Sequence, residues 1–146
     1  MPSVSRLALA SALVPAAMPA VAETDLWALI EGVTVDEIVT DTSYEVRKTF
    51  PDALLGGVEN VSITGYAMPY TDMDGTVREL MLVSDMGLCP FCGSPDHPGA
   101  LQVLLADAAT GIEEGARITV TGDLRAVTDP ETWQAAVLEG ARLSGS

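Results

Sequence analysis

Five segments after residue 57, in which apolar residues alternate with polar or small ones, limit the folds that this chain can adopt. The longest runs from Arg117 to Val127 and places Ile118, Val120 and Leu124 on one face. A period of two is typical of a β-strand with one face against a core. The other four segments are residues 58–69, 76–84, 100–105 and 133–143.

Turn signals separate these segments. Asp72-Met73-Asp74-Gly75 favours a tight hairpin, because Asp-Gly accepts positive φ angles. The same residues resemble the start of a calcium loop, but no Glu stands at the twelfth position, so we favour the hairpin. Gly65 predicts a bulge or sharp coil inside the first strand. Closure removes exposed strand edges, so five curved strands predict a mainly β fold, a small five-stranded OB-like barrel.

A short N-terminal helix and a lead-in segment precede the predicted barrel. Trp27 and Ile30 share one helical face, and Gly32 ends the helix. The acidic stretch 33–44 predicts a loop or a short helical piece before a weak strand at Tyr44–Thr49, and 51–57 reads as a connector. The predicted divisions of the chain are 1–22 (export signal), 23–57 (helix and lead-in) and 58–146 (barrel with a Cys-rich loop at 87–98).

Residues 1–22 have the three parts of a cleaved export signal. Arg6 is followed by the apolar stretch Leu7–Val14 and then by the small-residue ending Ala20-Val21-Ala22. This apolar stretch is shorter than the roughly 20 residues that cross a bilayer, so we expect cleavage after about Ala22 and no membrane insertion afterwards. The expected location of the mature protein is the periplasm.

The chain is strongly acidic. It holds 7 Lys and Arg against 21 Asp and Glu, a formal net charge of −14, and loss of Arg6 with the signal makes this 6 minus 21, or −15. A field of this sign repels phosphate backbones and anionic lipid surfaces. Nucleic acid is therefore a poor candidate partner, whereas cations and basic protein surfaces are attracted.

Both cysteines and the single histidine of the chain lie between residues 89 and 97. Cys89-Pro-Phe-Cys92-Gly has the spacing with which two thiolates converge on one ion, and His97 and Asp96 offer a nitrogen and an oxygen ligand. Two sulfurs, an imidazole and a carboxylate complete a tetrahedron for Zn²⁺. Copper is a second possibility, because thioethers bind Cu(I), although packing is the more ordinary role of methionine. Four methionines stand between the predicted signal and the loop: Met68, Met73, Met81 and Met86.

Two other uses of the loop stay open. An oxidising compartment favours a Cys89–Cys92 disulfide that stiffens the loop of a protein-interaction module. A thiol-disulfide oxidoreductase is a third option, although its attacking Cys usually begins a helix and the residues after Cys92 are poor helix formers. The sequence has neither a Gly-x-Ser-x-Gly elbow nor a phosphate-binding glycine motif.

The order of motifs resembles an uncharacterised family of small exported bacterial proteins. The likeness covers about residues 50–143 and rests on a Gly-Tyr-x-x-Pro strand at Gly65–Pro69, a Cys-bearing, Pro-rich loop and the strand Val120-Thr-Gly-Asp-Leu124. In that family the loop often carries Cys-x-His, and some members lie near zinc-transport genes. Here Phe91 stands where that His would fall, so the resemblance implies a metal site with an altered ligand set.

We therefore expect an exported, non-catalytic accessory protein that binds a transition metal, zinc before copper. The predicted ligands are Cys89, Cys92, His97 and Asp96. The expected partners are the metal ion and an inner-membrane transporter or another periplasmic protein.

Overall fold

The computed structural model describes residues 23–86 and 99–144. Two short helices and seven strands follow one another along this part of the chain. In chain order they are α1 (Glu23–Glu31), β1 (Thr34–Val39), β2 (Tyr44–Thr49), α2 (Asp52–Leu55), β3 (Val58–Thr71), β4 (Val77–Val83), β5 (Ala100–Ala109), β6 (Arg117–Ala126) and β7 (Ala136–Leu143).

The last five strands close into a barrel in the order β3-β4-β5-β7-β6, and β6 pairs back onto β3. Neighbours are antiparallel except for β5 and β7, which run parallel through pairs such as Gln102 with Val137. This order is that of an OB barrel. The prediction of a mainly β, five-stranded OB-like barrel with a short helix near the N-terminus is confirmed.

Strand β3 is 14 residues long, which allows it to pair with two neighbouring strands. Its first part pairs with β6 and its second part with β4, and Tyr66 lies opposite both Arg117 and Val83. The register with β6 shifts around Asn60, which has a φ of 51° and donates its N–H to Asp123 Oδ1 at 2.8 Å. A bulge or sharp coil was predicted at Gly65; pairing with β6 is continuous there, so the bulge lies near Asn60 and not at Gly65.

The barrel interior is filled by aliphatic side chains, and among the described residues no polar or charged one is buried. Helix α1 adds Leu26 and Ile30 to this core, and the Trp27 indole N–H donates to Thr64 O at 2.8 Å. The helix therefore covers part of the barrel instead of extending away from it. The fully buried large side chains are Leu26, Leu54, Ile63, Leu80, Leu82, Leu101, Leu124, Leu138, Val77, Val103 and Val120.

The segment before the barrel differs from its prediction. Residues 34–39 form strand β1 instead of a loop or helical piece, because all six pair with β2 in an antiparallel hairpin. The turn between them is held by Thr40, whose Oγ1 accepts the Ser43 N–H at 2.9 Å. The predicted connector contains α2, whose Leu54 is buried in the core. The last strand begins at Ala136, three residues later than predicted.

Candidate functional site

The predicted metal ligands lie outside the described residues. Cys89, Cys92, Asp96 and His97 all belong to the stretch 87–98, and residues 1–22, the predicted export signal, lie outside as well. The structure does describe the two points at which the Cys-bearing connection leaves and rejoins the barrel. These points are Ser84, directly after β4, and Gly99, directly before β5.

The two ends of this connection meet. Val83 and Ala100 are paired residues of the antiparallel ladder between β4 and β5, and the Ser84 N–H donates to Gly99 O at 2.9 Å. Residues 85–98 therefore leave and rejoin the same place on the barrel rim.

Position 99 requires a glycine. Its φ is +90°, a conformation that L side chains rarely adopt. A Cβ on this residue would overlap the Ser84 hydroxyl and lie 2.9 Å from Glu31 Oε1. The return of the chain into β5 is thus packed tightly against α1, which ends at Glu31.

A groove of about 600 Å³ opens beside these two ends, between α1 and the barrel rim. Helix α1 forms one wall, the central part of β3 forms another, and the end of β4 and the start of β6 complete it. Its lining residues are Trp27, Ala28, Glu31, Thr64, Gly65, Tyr66, Ser84 and Arg117.

The groove holds one acidic and one basic side chain. Glu31 Oε1 accepts a hydrogen bond from the Ser84 hydroxyl at 3.2 Å. Arg117 begins β6 opposite Tyr66, and its exposed guanidinium makes no hydrogen bond or ion pair with any described residue. Glu31 and Arg117 therefore share the groove without neutralising each other. The sequence analysis singled out neither residue, because neither belongs to a motif. They line the same groove only because α1, β3 and β6 pack together in the folded chain.

Groups with shifted pKa values lie on other parts of the described chain. Burial raises the pKa of Tyr44 above its usual value, and its hydrogen bond to Glu37 Oε1 at 2.8 Å acts in the same direction. Burial lowers the pKa of Lys48, with the charge of Asp129 opposing. Hydrogen bonds from Thr76 lower the pKa of Asp74 in the hairpin turn. None of these groups lines the groove.

Two further observations concern metal and membrane. Within residues 23–86 and 99–144, no three His, Cys, Asp or Glu side chains come together in a group able to hold a metal ion. Over the same ranges, no helix has the length and apolar character needed to span a bilayer.

Comparisons with known proteins return little. No family model and no curated protein matches this chain. Among solved structures, the chain is similar to a protein of the uncharacterised DUF3299 family from Pseudomonas aeruginosa, with a TM-score of 0.40 and 22% identity. The match covers 68% of this chain and 65% of that protein, so the chain spans less than two thirds of its neighbour's length. A likeness of this degree assigns neither a family nor an activity.

Proposed function

We propose that this protein is an exported, periplasmic, non-catalytic accessory protein that binds a transition metal, zinc before copper, through Cys89, Cys92, His97 and Asp96. One observation carries the proposal. Every Cys and His of the chain belongs to a single connection whose two ends are joined by the hydrogen bond between Ser84 and Gly99.

The chemistry of the ligand set favours zinc. Two thiolates separated by two residues bind one ion together, and an imidazole and a carboxylate complete four-coordination. Thiolate and imidazole also suit copper, which is the second choice of metal. The described part of the chain offers no competing group of such ligands.

The charge of the protein supports an accessory role with a cationic cargo. A net charge of −14 raises the local concentration of cations and attracts basic surfaces of protein partners. The proposed partner is an inner-membrane transporter or another periplasmic protein that exchanges the metal with this loop. The export signal at 1–22 supports the compartment.

Metal content and sulfur oxidation state, measured on one sample, test the proposal. The protein is purified from the periplasm without added metal or affinity tag, and is then analysed for elements and for intact mass. We expect about one Zn²⁺ per chain or per dimer with both thiols free of a bridge. Cys92→Ser is expected to abolish stoichiometric zinc, and His97→Ala to lower it partially.

Ser94→Ala is the matched control, since it changes the same loop without removing a zinc ligand. A mass lower by two hydrogens together with absence of metal would overturn the metal proposal in favour of an interaction module stiffened by the Cys89–Cys92 disulfide. Turnover of a model disulfide, with a thiol pKa clearly below that of free cysteine, would overturn it in favour of an oxidoreductase.

A further inference from the structure

The outward side of strands β3, β4 and β5 is mainly apolar. Residues that pair directly across an antiparallel ladder point to the same side of the sheet. Three rows of paired residues point outward, since the rows that alternate with them supply core residues such as Leu82 and Leu101. The outward rows are Tyr66-Val83-Ala100, Met68-Met81-Gln102 and Tyr70-Glu79-Leu104. We call these nine residues the apolar face.

The apolar face has little polar character of its own. Apart from the tyrosine hydroxyls, its polar side chains are Gln102 and Glu79, and they bond each other through Gln102 Nε2 and Glu79 Oε1. Val83, at the end near α1, is buried, and the other members are half-buried or exposed. Tyr70 and Leu104, at the opposite end, are 49% and 36% exposed. Contiguous apolar area on a protein surface is typical of an interaction site.

The other side of the barrel shows that this fold does not require an apolar exterior. Outward positions on β6 and on its neighbours carry hydroxyl or charged groups, and the Thr64 and Thr119 hydroxyls bond each other at 2.6 Å. These outward residues include Ser62, Thr64, Thr119, Thr121, Asp123 and Glu139. The apolar side chains on β3, β4 and β5 are therefore a property of that face and not of barrel closure.

Acidic groups outnumber basic ones around the apolar face. The acidic groups are Glu31 beside Ser84 at one end, Asp72 and Asp74 in the turn after β3 at the other, and Glu79 on the face, and the basic groups are Arg78 and Arg117. This balance has the same sign as the net charge of the chain, −14. Charge complementarity therefore favours a partner with basic groups.

The size and charge of the apolar face disfavour a second copy of this chain as its occupant. The face extends roughly 10 Å across the strands and roughly 13 Å along them, or roughly 300 Å² with its side chains. A standard interface buries roughly 800 Å² on each partner. Two copies with a net charge of −14 each would also repel one another. A short segment of a different protein fits both the size and the charge.

We propose that the apolar face binds a short segment of a protein partner, in which apolar side chains are flanked by Lys or Arg. The apolar side chains cover Met68, Met81 and Leu104, and the basic groups lie near Glu31 and Asp74. This inference goes beyond the proposed metal site, because the face lies on strands outside the stretch 87–98 and needs none of the predicted ligands.

Titration of the isotope-labelled mature chain with three peptides, followed by NMR, tests the face. Each peptide has about eight residues, enough to cross the face in extended form. One alternates leucine with lysine, one serine with lysine, and one leucine with glutamate. We expect the leucine–lysine peptide to bind with a dissociation constant below about 0.1 mM, and the others at least about tenfold more weakly, because each lacks one of the two attractions. The shifted amide signals should belong to β4, β5 and the second half of β3, with or without EDTA.

Threonine variants at exposed positions separate this face from the rest of the surface. Tyr70→Thr and Leu104→Thr are each expected to weaken binding of the leucine–lysine peptide at least about threefold, because apolar contact area is lost. Both side chains are partly exposed, so the fold should tolerate the exchange. Val39→Thr is the matched control, since it removes a 69% exposed apolar side chain from the hairpin and should leave binding unchanged.

Three results would overturn the proposal. Equal affinity for the leucine–lysine and serine–lysine peptides, or signal shifts confined to β6 and β7, would mean that charge alone attracts the peptide. A dimer of the free chain that Leu104→Thr dissociates, measured by sedimentation, would assign the face to a second copy. Binding to phosphatidylcholine vesicles that Leu104→Thr abolishes would assign it to a lipid surface.

Discussion

Gly65 shows how one missing side chain determines the packing of three elements. A Cβ at this position would lie 2.7 Å from Val83 O, 2.8 Å from Leu82 Cγ and 3.0 Å from Trp27 Cζ2. Its backbone φ lies outside the left-handed region, so the reason for glycine is space and not conformation. The absence of a side chain lets α1 approach β3 and β4 closely enough to form the wall of the groove.

We predict that Gly65→Ala lowers the free energy of unfolding by about 1–3 kcal/mol, because the backbone and the Trp27 ring must shift to admit the methyl group. Urea denaturation followed by circular dichroism measures the change. Gly56→Ala is the matched control: its φ is −70° and the nearest atoms to an added Cβ are 3.9 Å away. That exchange should leave stability unchanged or raise it by up to about 1 kcal/mol. Equal losses in the two variants would contradict the steric explanation.

The hairpin of β1 and β2 is held to the rest of the molecule by a few polar contacts. The Val46 N–H donates to Pro130 O at 2.8 Å, and the Lys48 ammonium donates to Val127 O at 2.7 Å and to Gln134 O at 2.6 Å. The segment between β6 and β7 supplies all three acceptors. Lys48 supplies two of these contacts, the Val46 backbone supplies a third, and Trp133 adds a hydrogen bond from its indole N–H to the Tyr44 hydroxyl.

Lys48→Met tests this attachment. We expect a loss of about 1–3 kcal/mol in the free energy of unfolding, because two half-buried carbonyl oxygens lose their donor. Arg47→Met, next to it on β2, removes only an exposed ion pair of 3.8 Å to Glu45 and should cost about 0–1 kcal/mol. Thermal and urea denaturation of both variants measure the difference. A larger loss in the Arg47 variant would show that surface charge, and not the carbonyl contacts, holds the hairpin.

Helix α1 has a different kind of attachment, since its contacts are mainly apolar. Leu26 and Ile30, four residues apart, place one face in the barrel core, and the Trp27 N–H bonds to the backbone of β3. This arrangement aims Glu31 at the groove and at Ser84. The helix therefore contributes both to the core and to one wall of the groove.

Excess negative charge acts on the molecule as a whole. The described salt bridges, with N–O distances of 3.1–4.0 Å, are largely exposed, and they involve only a minority of the 21 acidic residues. Repulsion among the remaining carboxylates disfavours the compact state. The closed barrel and its aliphatic core must supply the stability that offsets this repulsion.

We predict that the melting temperature rises by a few degrees when NaCl increases from about 0.02 M to about 0.2 M, because the shorter Debye length screens this repulsion. Scanning calorimetry at neutral pH measures the shift. The double variant Glu113→Lys/Glu114→Lys, in an exposed turn, moves the net charge by four units toward zero and should reduce the salt effect. A melting temperature that falls with added salt would mean that the few ion pairs outweigh the repulsion.

The strands of the barrel were predictable because apolar and polar residues alternate within each strand's own sequence. The turn at Asp74-Gly75 was predictable for a similar reason, and Gly75 has the expected positive φ of 80°. Strand β1 was not, since Val35 and Ile38 break the period of two and only pairing with β2 makes the segment a strand. The register shift at Asn60 depends on the Asp123 carboxylate, 63 residues away in sequence.

The sequence by itself determined which segments become barrel strands, and it gathered every cysteine and the histidine into one short stretch, because both properties depend on neighbouring residues. Tertiary structure alone decided that the connection containing this stretch leaves and rejoins the barrel at neighbouring residues, Ser84 and Gly99, and that Glu31 and Arg117 share a groove. Residues so far apart in the chain become neighbours only when the barrel closes and α1 packs against it. No pattern within a single segment of the sequence predicts these contacts.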